Sequence, residues 1–417
     1  MFLKLFDRIR SIYAEFPQQF WVVVVVSFID RIGGTLLFPF FALYITQKFS
    51  VGMTTAGIIL GLFSVFGMVG GVLGGALADR FGRRSIILFG LVFSAMGTLT
   101  LGFVTRIEML YPLAMLIGTL SNIAGPAHSA MIADILPEQK RQEGFGILRV
   151  VGNLSWLVGP TIGGFFANRD FMILFIADAA ISCLVAILFY MLIRESQSVQ
   201  VQEHEKTESI LDTIKGYGAV LKDKAFVAFN LSLAIMSFVY LQMYNSLSVY
   251  LRDNHHVDPQ GYGLLMSTSA ITVILFQFSV SRAIRKKPPF LLLMAGGLFY
   301  AIGFTLFGLV SAYWLFMLNV VIITIGEMIN MPTTQALSAE FAPEDMRGRY
   351  MAVFEMSWAV PAAIGPGLAG YILDHNEPNL LWYAGGVLCV VSAVMFLALH
   401  YRLGSQERFL PKLDEAA

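Results

Sequence analysis

The chain has 417 residues, of which 57% are hydrophobic and 13% charged, about half the charged share of a soluble domain. Its 28 basic and 28 acidic residues leave no net charge, which argues against a nucleic-acid partner. The only cysteines, Cys183 and Cys389, sit in apolar runs, which excludes a disulfide framework. No His/Cys metal cluster or phosphate-binding loop occurs, so no metal, cofactor or ATP-driven step is expected of this chain.

Apolar runs of membrane-spanning length recur from end to end. Residues 1–19 carry Lys4, Arg8 and Arg10 and read as an interfacial lead-in. Twelve spans follow, predicted at Phe20–Thr46, Thr54–Ala78, Ser85–Val104, Met109–Ile135, Phe145–Ala167, Phe171–Ile193, Phe226–Tyr250, Tyr262–Arg282, Phe290–Val310, Tyr313–Ala339, Arg349–Ile372 and Leu380–Tyr401. The one long polar connection, Arg194 to Lys224, is too short for a domain and reads as a linker. Within it, Ser209–Leu221 has the composition of a surface helix. The reading is an all-α polytopic protein: a first six-helix bundle (1–193), a cytoplasmic linker (194–224) and a second bundle (225–417).

Of the 28 Lys and Arg residues, 22 lie in the termini and in the connections on one side; the opposite loops hold Lys48, Arg106, Arg169 and Arg252, and Arg31 and Arg149 fall in or near the membrane. This bias predicts a cell-membrane protein with both termini cytoplasmic. The halves also match each other at a constant offset of 206 residues: Pro126 with Pro332, Pro137 with Pro343, Arg141 with Arg347, Gly159 and Pro160 with Gly365 and Pro366. Parallel repeats of this kind place a cavity where the halves meet.

Three stretches carry chemistry. Gly70 to Arg84, GGVLGGALADRFGRR, ends a glycine-rich apolar run in a cluster of Asp79, Arg80, Arg83 and Arg84, where a helix leaves lipid and turns back. Helix 5 holds Gly152, Gly159, Pro160, Gly163 and Gly164, small residues that permit bending and close approach. Glu327, in IGEMINMP of helix 10, is an acid far from both loops and the sharpest proton-coupling candidate. Asp30 and Arg31 of helix 1 are adjacent, about 100° apart on the helix, so both cannot face one way. Glu355 and Asp178 are further acid candidates, with Asp178 expected to pair near the outer surface. Asn122, His128, Arg149, Asn153, Trp156, Tyr240, Tyr244, Asn245, Gln277 and Trp358, with Arg31, are candidates for lining a mixed aromatic and polar cavity. Each also has an ordinary packing role open to it.

The pattern G-x-L-A-D-R-x-G-R-R from Gly75 to Arg84, including Gly82, resembles the signature of the major facilitator superfamily, where it lies between the second and third spans. The helix-5 glycines resemble the signature of its proton-coupled exporters, and the Glu327 segment resembles bacterial multidrug members. Helix 4 lacks the arginine usual in that group. The resemblance implies alternating access and export of lipophilic or cationic compounds against inward proton flow, by a monomer in contact with membrane lipids. An exporter of a sugar, an amphipathic lipid or a metabolite is the alternative. A non-transporting receptor or scaffold on the same fold is a third reading.

Overall fold

A computed structural model describes residues 13, 15–193, 218–343, 346–406 and 409, apart from the side chains of Asp79, Glu138 and Gln142. Among the described residues there is no strand, and twelve helices are long and apolar enough to cross a membrane. They are α1 (Gln18–Phe49), α2 (Met53–Ala78), α3 (Arg83–Phe103), α4 (Ile107–Ile135), α5 (Glu143–Ala167), α6 (Phe171–Leu192), α7 (Lys224–Asn245), α8 (Pro259–Ile284), α9 (Pro289–Phe307), α10 (Tyr313–Phe341), α11 (Arg347–His375) and α12 (Asn379–Leu403). The expected surface helix falls mostly outside the described residues, though 218–222 are helical.

The sequence repeat is a structural repeat. Helices beginning at Gln18, Met53, Arg83, Ile107 and Arg141 have counterparts beginning 206 residues later, at Lys224, Pro259, Pro289, Tyr313 and Arg347. Packing repeats too. α1 lies on α5 and α6, and α3 on α4 and α6; α7 lies on α11 and α12, and α9 on α10 and α12. Individual glycine contacts recur at the same register. Gly90 lies against Ala124 as Gly296 lies against Asn330, and Gly97 lies against Ile117 as Gly303 lies against Ile323. Absence of a Cβ lets the paired backbones approach, which matters in lipid because burial of apolar surface does not drive helices together there.

Contacts resolve the chain into two compact units, Met1–Phe41 with Leu62–Val201, and Ala42–Gly61 with Gln202–Ala417. The segment 42–61 precedes the linker yet groups with the later helices. Its glycines explain this: Gly57 and Gly61 lie directly against the Pro366 and Ala363 carbonyls of α11. Further along α2, Gly70 and Gly74 lie against Thr119 and Ile123 of α4 in the same manner.

Several helices are interrupted. In α1 a 3-10 turn at Phe38–Phe40, containing Pro39, separates Gln18–Leu37 from Phe41–Phe49. Proline cannot donate the helical hydrogen bond, which accounts for that break. The seventh helix runs Lys224–Tyr240, then Gln242–Asn245, then Leu247–His255, with no proline at either break. Helix α4 is divided at Ile123, beside Asn122.

Candidate functional site

Polar groups gather in two clusters, one in each unit. In the first, Asp30 of α1 has Asp178 and Arg31 as its charged neighbours. Asp178 of α6 is buried well inside the unit. Its Oδ2 accepts a hydrogen bond from Thr98 Oγ1 of α3 at 2.8 Å, and Gly33 of α1 lies against its carboxylate. Asp178, expected to pair near the outer surface, is the eighth residue of α6 and is paired with Thr98, five residues before the end of α3, with both side chains buried. On α4, His128 Nε2 is 3.1 Å from Ser27 Oγ, with Arg31 as a charged neighbour. Asn122 is exposed and its amide donates to the Gly118 carbonyl at 3.2 Å. Arg149 of α5 is exposed, and Asn153 and Trp156 are half-buried.

The helix-5 glycines form one face directed at α1. Gly152 lies against the Arg31 guanidinium, Gly159 against Thr35, and Gly163 against Leu36 and the Phe40 ring. Thr35 Oγ1 closes the seam by donating to the Ser155 carbonyl at 3.0 Å. Pro160 and Gly164 are buried beside this face. The glycine pattern thus positions Arg31 and, through α1, Asp30.

At the turn between α2 and α3, Gly82 adopts φ 84°, a region that side chains disfavour. Arg83 is ion-paired with Asp134 at the end of α4 and donates to the Ala130 carbonyl at 2.9 Å. Arg84 donates to the Tyr190 carbonyl and lies over the Tyr190 ring at 4.9 Å. Arg80 lies over Phe81 at 5.3 Å, and Gly75 faces open space. The Asp79 side chain is outside the described residues.

The second cluster centres on Glu327, half-buried on α10. Tyr240 and Tyr244 of α7 and Tyr300 of α9 are within electrostatic reach of its carboxylate. The Tyr240 and Tyr244 hydroxyls are 3.0 Å apart. The Tyr240 ring stacks on Tyr300 (centroids 5.4 Å, 15° between planes) and meets Trp358 of α11 edge-on at 6.1 Å. Asn330, one turn after Glu327, donates to the Met236 sulfur at 3.3 Å and packs on Gly296. Asn245 is buried at the second break of the seventh helix. Gln277 is tied up structurally, its amide donating to Ser281 Oγ and the Met328 carbonyl. Glu355 is exposed on α11. Sequence reasoning did not single out Tyr300, Asn330 or Thr98. Tyr300 is a polar-tipped ring within the apolar run of α9, the kind of signal by which it was findable.

An acid near three phenols, one of which meets an indole, combines a negative charge with π faces, an arrangement that attracts cations and accommodates flat apolar groups. Among the described residues no three His, Cys, Asp or Glu side chains are placed to hold a metal ion.

Twelve membrane helices, a twofold repeat and a polar cluster in each unit define a secondary transporter. The Major Facilitator Superfamily description matches residues 23–251 and 233–415, and the chain belongs to that superfamily, whose members transport and do not catalyse. It is 26% identical over 382 residues to a "Na(+), Li(+), K(+)/H(+) antiporter" of Planococcus maritimus, covering 84% of this chain and 89% of the relative. It is 26% identical over 402 residues to the "Multidrug resistance protein MdtH" of Shigella flexneri, covering 95% and 96%. Its fold is similar to a POT family transporter solved with 5-aminolevulinic acid (TM-score 0.78, 19% identity, 93% and 96% covered). The protein is a multi-pass membrane transporter of small molecules.

Proposed function

We propose that the protein exports lipophilic or cationic compounds in exchange for protons, with both termini in the cytoplasm. The observation that carries this reading is the Glu327 carboxylate within electrostatic reach of Tyr240, Tyr244 and Tyr300, with the Trp358 ring edge-on to Tyr240. A deprotonated acid there attracts a cation; protonation removes the attraction and releases it, so proton and substrate compete for one group. Each proton entering down a 100 mV potential supplies about 2.3 kcal/mol, enough to hold roughly a 50-fold gradient of a neutral compound. Asp30 and Asp178 form a second acidic pair in the first unit, and Glu355 is a further acid on α11. The helix-5 face packs on α1, which carries Asp30, and Arg84 of the α2–α3 turn is bonded to α6, which carries Asp178. The name of the Shigella relative supports drug export.

The name of the Planococcus relative supports a second reading, exchange of small monovalent cations for protons, for which the Asp30–Asp178 pair with Thr98 is the natural site. One experiment separates the two. Proteoliposomes with an imposed proton gradient are given dyes, lipophilic cations, sugars, lysolipids, and Na+, Li+ or K+ in turn. The first reading predicts gradient-driven movement of the lipophilic cations. Movement of inorganic cations alone selects the second, and no substrate-dependent proton flux with any compound defeats both.

A further inference from the structure

The first turn of α2 is capped from another helix. Its leading N–H groups, those of Met53 and Thr54, donate at 2.8 Å each to Oδ1 and Oδ2 of Asp374, near the end of α11, and Thr54 Oγ1 donates to Oδ2 at 2.6 Å. A helix start normally takes its cap from the residue just before it. Here that residue is Gly52, which has no side chain, and a Cβ at Gly52 would run into the Asp374 carboxylate. The negative group also sits at the positive end of the helix, where it is favoured. Below the cap the two backbones are in direct apposition: Gly370 against Met53, Gly57 against the Pro366 carbonyl, and Gly61 against the Ala363 carbonyl. Nearby, Arg252 Nη1 donates to Thr46 Oγ1 at 2.9 Å and ties the end of α1 to the extension of the seventh helix. All these contacts lie in the second unit, at its end that carries the α1–α2, α7–α8 and α11–α12 connections.

We infer that Asp374 is a removable cap: a latch that holds the α2–α11 seam shut in one conformer and is withdrawn from α2 when the seam parts. Three observations converge on a latch over a fixed structural bond. The cap comes from a residue 320 positions away. The position that would supply a permanent cap is vacated by Gly52. The glycines beneath the cap bring backbones together without interlocking side chains, so the seam can separate without repacking a core. Withdrawal leaves the Met53 and Thr54 N–H groups to water, a cost that sets how far the closed arrangement is preferred. The inference does not depend on which compound is carried.

The test uses the full-length protein in lipid nanodiscs without substrate, with Cys183 and Cys389 replaced by alanine and spin labels at the exposed positions Gln47 and Glu377. Asp374→Ala is expected to raise the population at long label separation about fivefold relative to the parent, the size of effect a lost helix cap gives, with Asp374→Asn in between. A second variant separates a latch from simple helix capping. Asp374→Ala combined with Gly52→Asp supplies a cap within α2 itself, and Gly52 has no positive φ to oppose a side chain. This double variant is expected to recover thermal stability while its label separations stay shifted; it also carries the measurement if Asp374→Ala alone does not fold. Unchanged separations in Asp374→Ala, or separations returned to those of the parent by Gly52→Asp, would overturn the inference.

Discussion

Arg83 reaches from the turn after α2 to the end of α4, where it is ion-paired with Asp134 while also donating to the Ala130 carbonyl. Both side chains are about one-fifth exposed, so the pair is neither fully screened nor buried at full desolvation cost. Arg83→Gln is expected to destabilise the protein by about 1 kcal/mol, and Asp134→Asn by a similar amount. The double variant should lose less than the sum of the two, because they share one interaction. Thermal unfolding in detergent checks this; additive losses would show that the two residues act separately.

Glycines that look alike in the sequence are predicted to behave differently. Gly82 has φ 84° and ψ 146°, a region used essentially by glycine alone, so Gly82→Ala is expected to cost about 1–3 kcal/mol through backbone strain. Gly159 is pressed against Thr35, both its side chain and its backbone, and Gly159→Ala should force α1 away from α5 and reduce folded yield and transport. Gly75 faces open space, and Gly75→Ala should leave stability within about 0.5 kcal/mol of the parent. Equal tolerance at Gly159 and Gly75 in an unfolding assay would refute the packing assigned to α5.

His255 makes a prediction about pH. It follows the seventh span, its Nε2 is 3.1 Å from the Tyr250 hydroxyl, and burial with the adjacent His256 lowers its pKa below the ordinary histidine range. The folded state therefore resists protonating it, and the unfolded chain binds the extra proton first. Stability from this group is present above the unfolded value of about 6.5 and is lost as pH falls through the window between that value and the lower folded one. Unfolding temperatures measured from pH 7.5 to 5 should drop less steeply for His255→Gln than for the parent. Parallel curves would remove His255 from the account.

Much of the fold was legible because lipid imposes simple rules. Runs of apolar residues located all twelve spans, and the match of Pro126 with Pro332 and of Gly159 with Gly365 anticipated helix starts that recur 206 residues apart. Pro39 marks the break in α1, but the breaks after Tyr240 and Asn245 lack a proline or glycine and left no such mark. The burial of Asp178 was hidden for another reason: depth counted along one helix says nothing of Thr98 on a helix some 80 positions away. Likewise the trans cap on α2 joins residues 320 positions apart, and only the absent side chain at Gly52 hints at it. Glu327 stands out in the sequence by its isolation in an apolar run, whereas the Tyr240–Tyr300 stack within its electrostatic reach depends on how α7 meets α9.

The proposed exchange of a proton for a cationic substrate at Glu327 is measured most directly as substrate-triggered proton release from purified protein in weakly buffered detergent, followed with a pH-sensitive dye. Addition of a lipophilic cation that the proteoliposome assay shows to be transported should release protons from the parent protein. Glu327→Gln, which keeps the side-chain size but cannot titrate, should remain folded, release none, and lose uphill export by at least tenfold. Undiminished cation-triggered release from Glu327→Gln would contradict the assignment and move the coupling role to Asp30, Asp178 or Glu355.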